Sequence, residues 1–338
     1  MARITIADIA RQAGVSTGAV SYALNNRPGV SDETRARVLR IATELGWAPS
    51  SAARSLSGAR TETIGFVLAR DPRTLGVESF YMQFLAGIET ELTKRSHALL
   101  LQVVPDVGTE LETYRAWQAA RRVDGVVMVD PRVDDPRVAL LGAPGALPAV
   151  VVGDPSLAAG LTTVWTDDAS AMRESVRYLH AMGHRRIARV GGVETFGHTH
   201  IRDDAFVAET ALLGVDGVIA RTDYTAVQGA GVTRALLTGD RRPTALIYDN
   251  DVMAVAGLGV AHEVGLRVPD DVSLIAWDDS PLCEATYPRL SALSHDVTRY
   301  GAHVARRLFE RMDGAPAGSF LDSTPLLRPR GTTARVAG

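Results

Sequence analysis

Thr17, Gly18, Ser21, Tyr22 and Asn25 fall, at about 100° per residue, within an arc of roughly 140° on one helix. Ala19, Val20, Ala23 and Leu24 fill the opposite arc. One face is therefore oily, and the other carries small hydroxyls, a phenol and an amide. Groups of that kind donate and accept hydrogen bonds at base edges and phosphate oxygens. Gly18 brings no side chain, so Thr17 and Tyr22, with neighbouring Ser21, are left to read bases. Thr5, Ser16, Asn25 and Ser31 are placed to position phosphates. A second set sits in the body of the chain. Arg202, Asn250 and Asp278 offer a fork-shaped cation, an amide and a carboxylate that can hold adjacent hydroxyls. Phe80, Tyr81 and Tyr224 offer rings that stack on a sugar or a base.

Enzyme-like patterns in the sequence fail on context, and no catalytic residue is expected. Gly14-Val-Ser-Thr-Gly18 matches a nucleophile elbow by letter, but a helix precedes it where a strand is required. His198-Thr-His200 has no second pair nearby to complete a metal site. Asp278 and Asp279 are adjacent on extended chain and point opposite ways, so they cannot flank one glycosidic bond. Gly257-x-Gly259 lies within a helical pattern and lacks the third glycine of a dinucleotide loop. Neither a metal nor a cofactor is expected.

The elements that would carry the first face are short helices. Thr5 can cap a helix whose apolar residues Ile6, Ile9, Ala10 and Ala13 repeat at helical spacing, and Gly14 ends it. Ser16 then caps the helix bearing the polar face. Two helices joined by a tight glycine-containing turn, the second so patterned, make a helix-turn-helix. A third helix starts at Ser31, has Asp32 and Glu33 in its first turn, and repeats Val38, Ile41, Ala42 and Leu45 before Gly46. The next stretch, Pro49 to Gly58, has helical residues for barely two turns, too few to be stable alone. Ala52, Ala53 and Leu56 make a small apolar stripe there, which suggests a helix that forms when it docks.

The chain has 338 residues, 46% hydrophobic and 22% charged, ample for two or three domains. Its net charge is −3, yet residues 1–60 hold eight arginines against four acids, a net +4. The remaining 28 basic and 35 acidic residues leave −7. The basic head is where phosphate binding should sit. The lone Cys283 excludes an intrachain disulfide, which fits a reducing compartment. No signal-type run and no stretch of about 18 apolar residues is found, so a soluble cytoplasmic protein with no membrane partner is expected.

Beyond residue 61 the pattern alternates strand and helix. Strands are expected at 64–68, 98–104, 126–129 and 149–152, with helices marked by Phe84 to Leu92 and over 109–121. Near Thr162 the order restarts, with strands at 187–190, near 218, at 245–248 and at 273–277. Helices are expected there over 168–182, 203–213, 226–237 and 252–264. This alternation implies parallel sheets covered on both faces, in two similar lobes, with a ligand where the carboxyl ends of both sheets meet. Arg202 is then expected to open a helix, Phe80 and Tyr81 to precede one, and Tyr224 to precede another. Asn250 and Asp251 stand where helix caps stand. Trp165 is a candidate for the cleft wall, although a tryptophan beside a strand is more often core.

These residues resemble the lactose-repressor (LacI/GalR) family of bacterial transcription regulators. The resemblance is carried by TIADIARQAGVSTGAVSYALN from Thr5, VSDETRARV from Val30 and PSSAARSL from Pro49. Further matches are RVDGVVMV from Arg122, LHAMGHRRI from Leu179, NDVMA from Asn250 and GLRVPDDVSLIAWDD from Gly265. It implies an α/β chain: an N-terminal helix-turn-helix head followed by a type I periplasmic-binding-protein-like core of two doubly wound parallel-sheet lobes, crossed three times. The expected divisions are 1–48 for the head, 49–61 for a hinge helix and linker, and 62–338 for the effector-binding and dimerisation core. Lobe 1 would take about 62–161 and 292–322, and lobe 2 about 162–291 and 323–338, the last crossing returning 326–330 to lobe 2. By position Leu56, with Ala53 beside it, would wedge into a minor-groove base step and bend the DNA. Arg202, Asn250 and Asp278 would meet the effector. The chain departs from the family at Ala205, where glycine is common. The expected function is a ligand-switched repressor of carbohydrate-uptake or catabolic genes, binding a near-palindromic operator as a homodimer, or a tetramer built from it. The competing readings are a solute-binding module of a transport system and a sugar-processing enzyme.

Overall fold

A computed structural model of the chain describes residues 4–25, 27–47, 60–70 and 78–336. It divides into two units, Met1–Thr61 and Glu62–Gly338. Most of the stretch expected as a hinge helix, including Ala53 and Leu56, lies outside the described residues.

In the first unit, helices α1 (Ile6–Ala13), α2 (Thr17–Leu24) and α3 (Asp32–Glu44) start and stop where local chemistry dictates. Thr5 and Asp8 cap α1 reciprocally: the Thr5 hydroxyl accepts the Asp8 N–H, and the Asp8 carboxylate accepts the Thr5 N–H. Gly14 leaves the helix in the left-handed region at φ 67°. Ser16 and Ser31 accept the N–H groups of Ala19 and Thr34. Ile9, Val20, Val38 and Ile41 are buried together, closing the bundle. Arg35 reaches from α3 to the carbonyls of Tyr22, Ala23 and Arg27, so a cation closes the C-terminal end of α2.

The second unit holds two sheets. The first contains β1 (Thr63–Ala69), β2 (Ala98–Val104), β3 (Gly125–Met128), β4 (Ala149–Val152), β5 (Thr162–Thr166) and β11 (Ser319–Ser323), in the order β11-β5-β4-β3-β1-β2. The second contains β6 (Arg186–Gly191), β7 (Asp216–Arg221), β8 (Ala245–Tyr248), β9 (Ser273–Trp277), β10 (Ser291–Ser294) and β12 (Leu326–Arg328), in the order β12-β10-β9-β8-β6-β7. All pairings are parallel except β10 with β12. The helices are α4 (Ser79–Lys94), α5 (Val107–Ala119), α6 (Pro136–Leu141), α7 (Asp168–Ala181), α8 (Gly197–Leu213), α9 (Ala226–Thr238), α10 (Asp251–Glu263), α11 (Pro281–Ala285) and α12 (Val297–Met312).

Buried parallel strands feed two cores each. Ile64, Phe66 and Leu68 of β1 join α4 and α12, whereas Val67 points to the opposite face with Tyr114 and Trp117 of α5. Gly87 and Gly301 let α4 and α12 touch backbone to backbone. A Cβ on Gly87 would stand 2.0 Å from the Thr298 carbonyl oxygen, and one on Gly301 would stand 2.1 Å from that of Phe84.

Several boundaries differ from the sequence reading, each for a tertiary reason. β5 pairs with β4 and β11, so the first crossing falls after Thr166 rather than at 161/162. β10 pairs with β9 and β12, so the second crossing follows Ser294 rather than residue 291. Helix α8 begins at Gly197, not near Asp203, and Arg202 stands in its second turn rather than opening it. The N-cap residue Phe196 provides no side-chain cap; the Gly197 N–H instead meets the Pro131 carbonyl of the other lobe at 2.8 Å. Phe80 and Tyr81 lie inside the first turn of α4 rather than before it, because the helix starts without a capping side chain.

Candidate functional site

The carboxyl ends of both sheets face one cleft of about 970 Å3, part of it open to solvent. Phe80, Tyr81, Arg202, Tyr224, Asn250 and Asp278 all line it. Strand ends place several of these residues. Asp130, after β3, Tyr224, after β7, and Asp278, after β9, have φ of 49°, 71° and 65°. Aspartate tolerates this region; for tyrosine it is strained, on the order of 1–3 kcal/mol. The buried Arg137 helps hold the first of these turns, donating to the Val129 and Asp130 carbonyls and to Glu110 and Asp135.

A chain of alternating charges lies under the second lobe's side of the cleft. Arg221 pairs with Asp203, Asp203 with Arg189, Arg189 with Asp249, Asp249 with Arg202, and Arg202 with Asp168. Arg202 Nε lies 2.8 Å and Nη2 2.7 Å from Asp168 Oδ2, and Nη1 lies 3.4 Å from Asp249 Oδ1. Its guanidinium also covers the Trp277 ring at 3.7 Å. Burial alone would raise the Asp249 carboxyl, but Arg189 and Arg202 hold it well below the usual range.

Arg70 does the same work across the lobes. It bonds Asp130 Oδ2 at 3.0 Å and the Tyr81 hydroxyl at 3.3 Å, while lying 4.6 Å from the Phe196 ring and 5.0 Å from that of Tyr224. Burial is outweighed by Arg70, His198 and the Tyr81 hydroxyl, so the Asp130 carboxyl is held down to about 2. His198 meets the Tyr224 hydroxyl at 2.7 Å; burial, helped by Arg202, pushes its ring down to about 4. Asn250 is both cap and lining. Its Oδ1 accepts the Met253 N–H at 2.8 Å and its Nδ2 donates to the Tyr224 carbonyl at 3.0 Å.

Other residues singled out in the sequence are sorted by the fold. Asp278 lines the cleft, whereas Asp279 is turned away and paired with Arg330 at 2.7 Å. Ala205 is buried against α7 residues such as Met172, where its methyl fills core space. Trp165 is not among the cleft-lining residues; Trp277 is. Sequence reasoning missed Arg70, Asp130, Asp168, His198, Trp277 and His295. The rule that singled out Asp278, a polar residue just past a buried strand, would also have found Arg70 and Asp130. Asp168, His198 and His295 depend on how the lobes meet.

In the head, Thr17, Gly18, Tyr22 and Asn25 are exposed on one side of α2 and Ser21 is half-buried beside them. Tyr22 keeps 45% of its surface, with its ring lying over Gly29. Thr5, Ser16 and Ser31 sit at helix N-termini, where unpaired N–H groups favour anions. Asn25 closes α2 by donating to the Ser21 carbonyl at 2.9 Å.

Comparison with known proteins adds the following. Residues 5–50 match the family described as "Bacterial regulatory proteins, lacI family", and residues 176–333 match "Periplasmic binding protein-like domain". The HTH-type transcriptional regulator CelR of Thermobifida fusca is 31% identical over 319 residues, 92% of this chain and 93% of its own. A solved CelR–cellobiose complex covers 98% of this chain and 100% of its own at 27% identity, with a TM-score of 0.74. A lac repressor dimer bound to operator and an anti-inducer covers the same shares at 24% identity, with a TM-score of 0.85, a likeness of fold. Among the described residues no helix is long and apolar enough to cross a membrane.

Proposed function

This chain belongs to the lacI family of bacterial regulatory proteins, and on that premise we propose that it is a homodimeric repressor whose grip on a near-palindromic operator is switched by a carbohydrate in the cleft. Thr17, Ser21 and Tyr22 read major-groove base edges; Thr5, Ser16, Asn25 and Ser31 position phosphates. Ala53 and Leu56 enter the minor groove once two copies of segment 49–61 pair. The observation that carries the effector reading is the cleft itself. A paired guanidinium, an amide and carboxylates converge with aromatic rings, the mixture that holds vicinal hydroxyls and stacks on a sugar face. The relative CelR is known in complex with cellobiose, which supports a carbohydrate here.

Effector binding changes the angle between the lobes and thereby the spacing of the two hinge segments. The size of the switch equals the effector's differential affinity for the two lobe arrangements. Release of DNA is the direction we propose, and the site of action is the cytoplasm. Thermal-shift screening of the full chain against carbohydrates, cellobiose included, tests this. The effector should raise the melting temperature, and Asp278→Asn should weaken it several-fold while operator affinity is kept. An unchanged effector response in that variant would place the pocket elsewhere.

A further inference from the structure

The cleft is short of positive charge. Among the described residues, seven carboxyls line it, against two guanidiniums. Three of the seven are met by a guanidinium, and a fourth bonds within its own turn. Asp130 is met by Arg70, Asp168 by Arg202 and Asp249 by Arg189, while Asp154 accepts the Ser156 N–H and hydroxyl. Three are left. Glu78 lies 4.0 Å from Arg70, which is already bonded to Asp130. Asp251 takes the Ser280 hydroxyl and the Val252 N–H, neither of them a cation. Asp278 has His295 at 3.8 Å, beyond hydrogen-bond reach. The three are close enough to repel. Burial pushes Glu78 up to about 7 against the pull of Arg70, with Asp130, Asp278 and Asp251 adding to the push, and burial with the charge of Asp278 takes Asp251 to about 6.

An independent feature marks the same end of the cleft. The His295 side chain is only 5% exposed and lines the cleft, yet its buried Nδ1 has no hydrogen-bond partner among the described residues. Its ring packs between Phe80 at 6.5 Å and Tyr300 at 5.8 Å. Buried polar atoms are rarely left unpaired, so this nitrogen points to a ligand atom that completes it.

We propose that the effector carries a basic nitrogen, protonated as an ammonium, seated among Glu78, Asp251 and Asp278 beside His295 and the Phe80 ring: an amino sugar rather than a neutral or phosphorylated one. The proposal rests on the carbohydrate reading of the cleft. An ammonium brings three donors and no acceptor, to be shared among the carboxylate oxygens and the unpaired His295 Nδ1. A neighbouring ring face attracts the same cation. A hydroxyl at that place would leave the carboxylates mutually repelling, and a phosphate would add to the repulsion.

Isothermal titration calorimetry of the full chain at pH 7.0 tests this with matched sets. D-glucosamine, D-galactosamine and fully deacetylated chitobiose are each compared with the N-acetyl form and the neutral parent, and the two monosaccharides also with the 6-phosphate. In the set that binds, the amine should bind at least ten-fold tighter than every counterpart. Glu78→Gln and Asp251→Asn, checked for native melting, should each weaken the amine about ten-fold and its neutral parent less than three-fold. A neutral parent that binds as tightly as its amine, or variants that weaken both alike, would overturn the ammonium site and leave the carbohydrate reading standing. If no member of any set binds, both fall.

Discussion

Replacing Arg202 with methionine tests how the cleft is held together. Arg202 and its partner Asp168 are each about a tenth exposed, with two nitrogens 2.7–2.8 Å from one carboxylate oxygen. Removing one member of such a pair leaves a buried charge uncompensated, at a cost of about 3–5 kcal/mol. Asp249 suffers less, because Arg189 remains bonded to it at 3.0 Å. The contact with Trp277 at 3.7 Å contributes about 1 kcal/mol more, part of which a methionine keeps. The expected loss is therefore about 4–5 kcal/mol without any ligand. At about 2–4 °C per kcal/mol for a domain of this order, the body's melting midpoint should fall by about 10 °C. The double variant Arg202→Met/Asp168→Asn removes the stranded charge and should recover about half of that. Circular dichroism melts of the full chain read both. A single variant that melts within 2 °C of the parent, with the double no better, would refute the claim that this pair is structural as well as ligand-facing.

Tyr22→Ala should lower operator affinity about ten- to hundred-fold, the worth of a base-edge contact, with the helical signal of the head kept; unchanged affinity in fluorescence anisotropy would remove Tyr22 from the reading face. Gly301→Ala sets a helix-propensity gain of about 1 kcal/mol against a Cβ placed 2.1 Å from a backbone carbonyl. The clash should win by about 2 kcal/mol, lowering the urea midpoint, and a raised midpoint would contradict the close packing of α4 on α12. Glu78 in the folded state titrates at about 7 against an ordinary 4.5. The stability from its protonated form is complete below about 4.5 and lost as pH rises through 7. Glu78→Gln should therefore stabilise the protein by about 1–2 kcal/mol at pH 8 and by little at pH 5, read from urea unfolding at both. A gain that does not depend on pH would contradict the buried, like-charged setting.

Elements written in local chemistry were legible from the residues alone. The caps Thr5, Ser16 and Ser31 and the stops Gly14 and Gly46 announce the head, and the runs at 98–104, 149–152 and 273–277 coincide with strands. What could not be read is what the other lobe supplies. The start of α8 is set by the Pro131 carbonyl, so a cap-based search places it six residues late and puts Arg202 at the wrong turn. Arg189, in the middle of a buried strand, argues against a strand until Asp203 and Asp249 are seen around it. The same holds for the cleft. Polar residues just past strands, such as Asp278, follow from the sheet, whereas Asp168 and His295 become neighbours of a ligand only because the chain crosses between lobes beside them.

The central claim is that one chain couples a base-reading helix to a cleft that senses a small molecule. The most direct test is to select DNA from a random library with the full chain, and then titrate the enriched duplex by fluorescence anisotropy with and without the carbohydrate that raises the melting temperature. The account predicts enrichment of a near-palindromic site, bound tightly alone and released, at least ten-fold weaker, at saturating carbohydrate. No enriched sequence, or an affinity unmoved by a ligand that calorimetry shows to be bound, would contradict it.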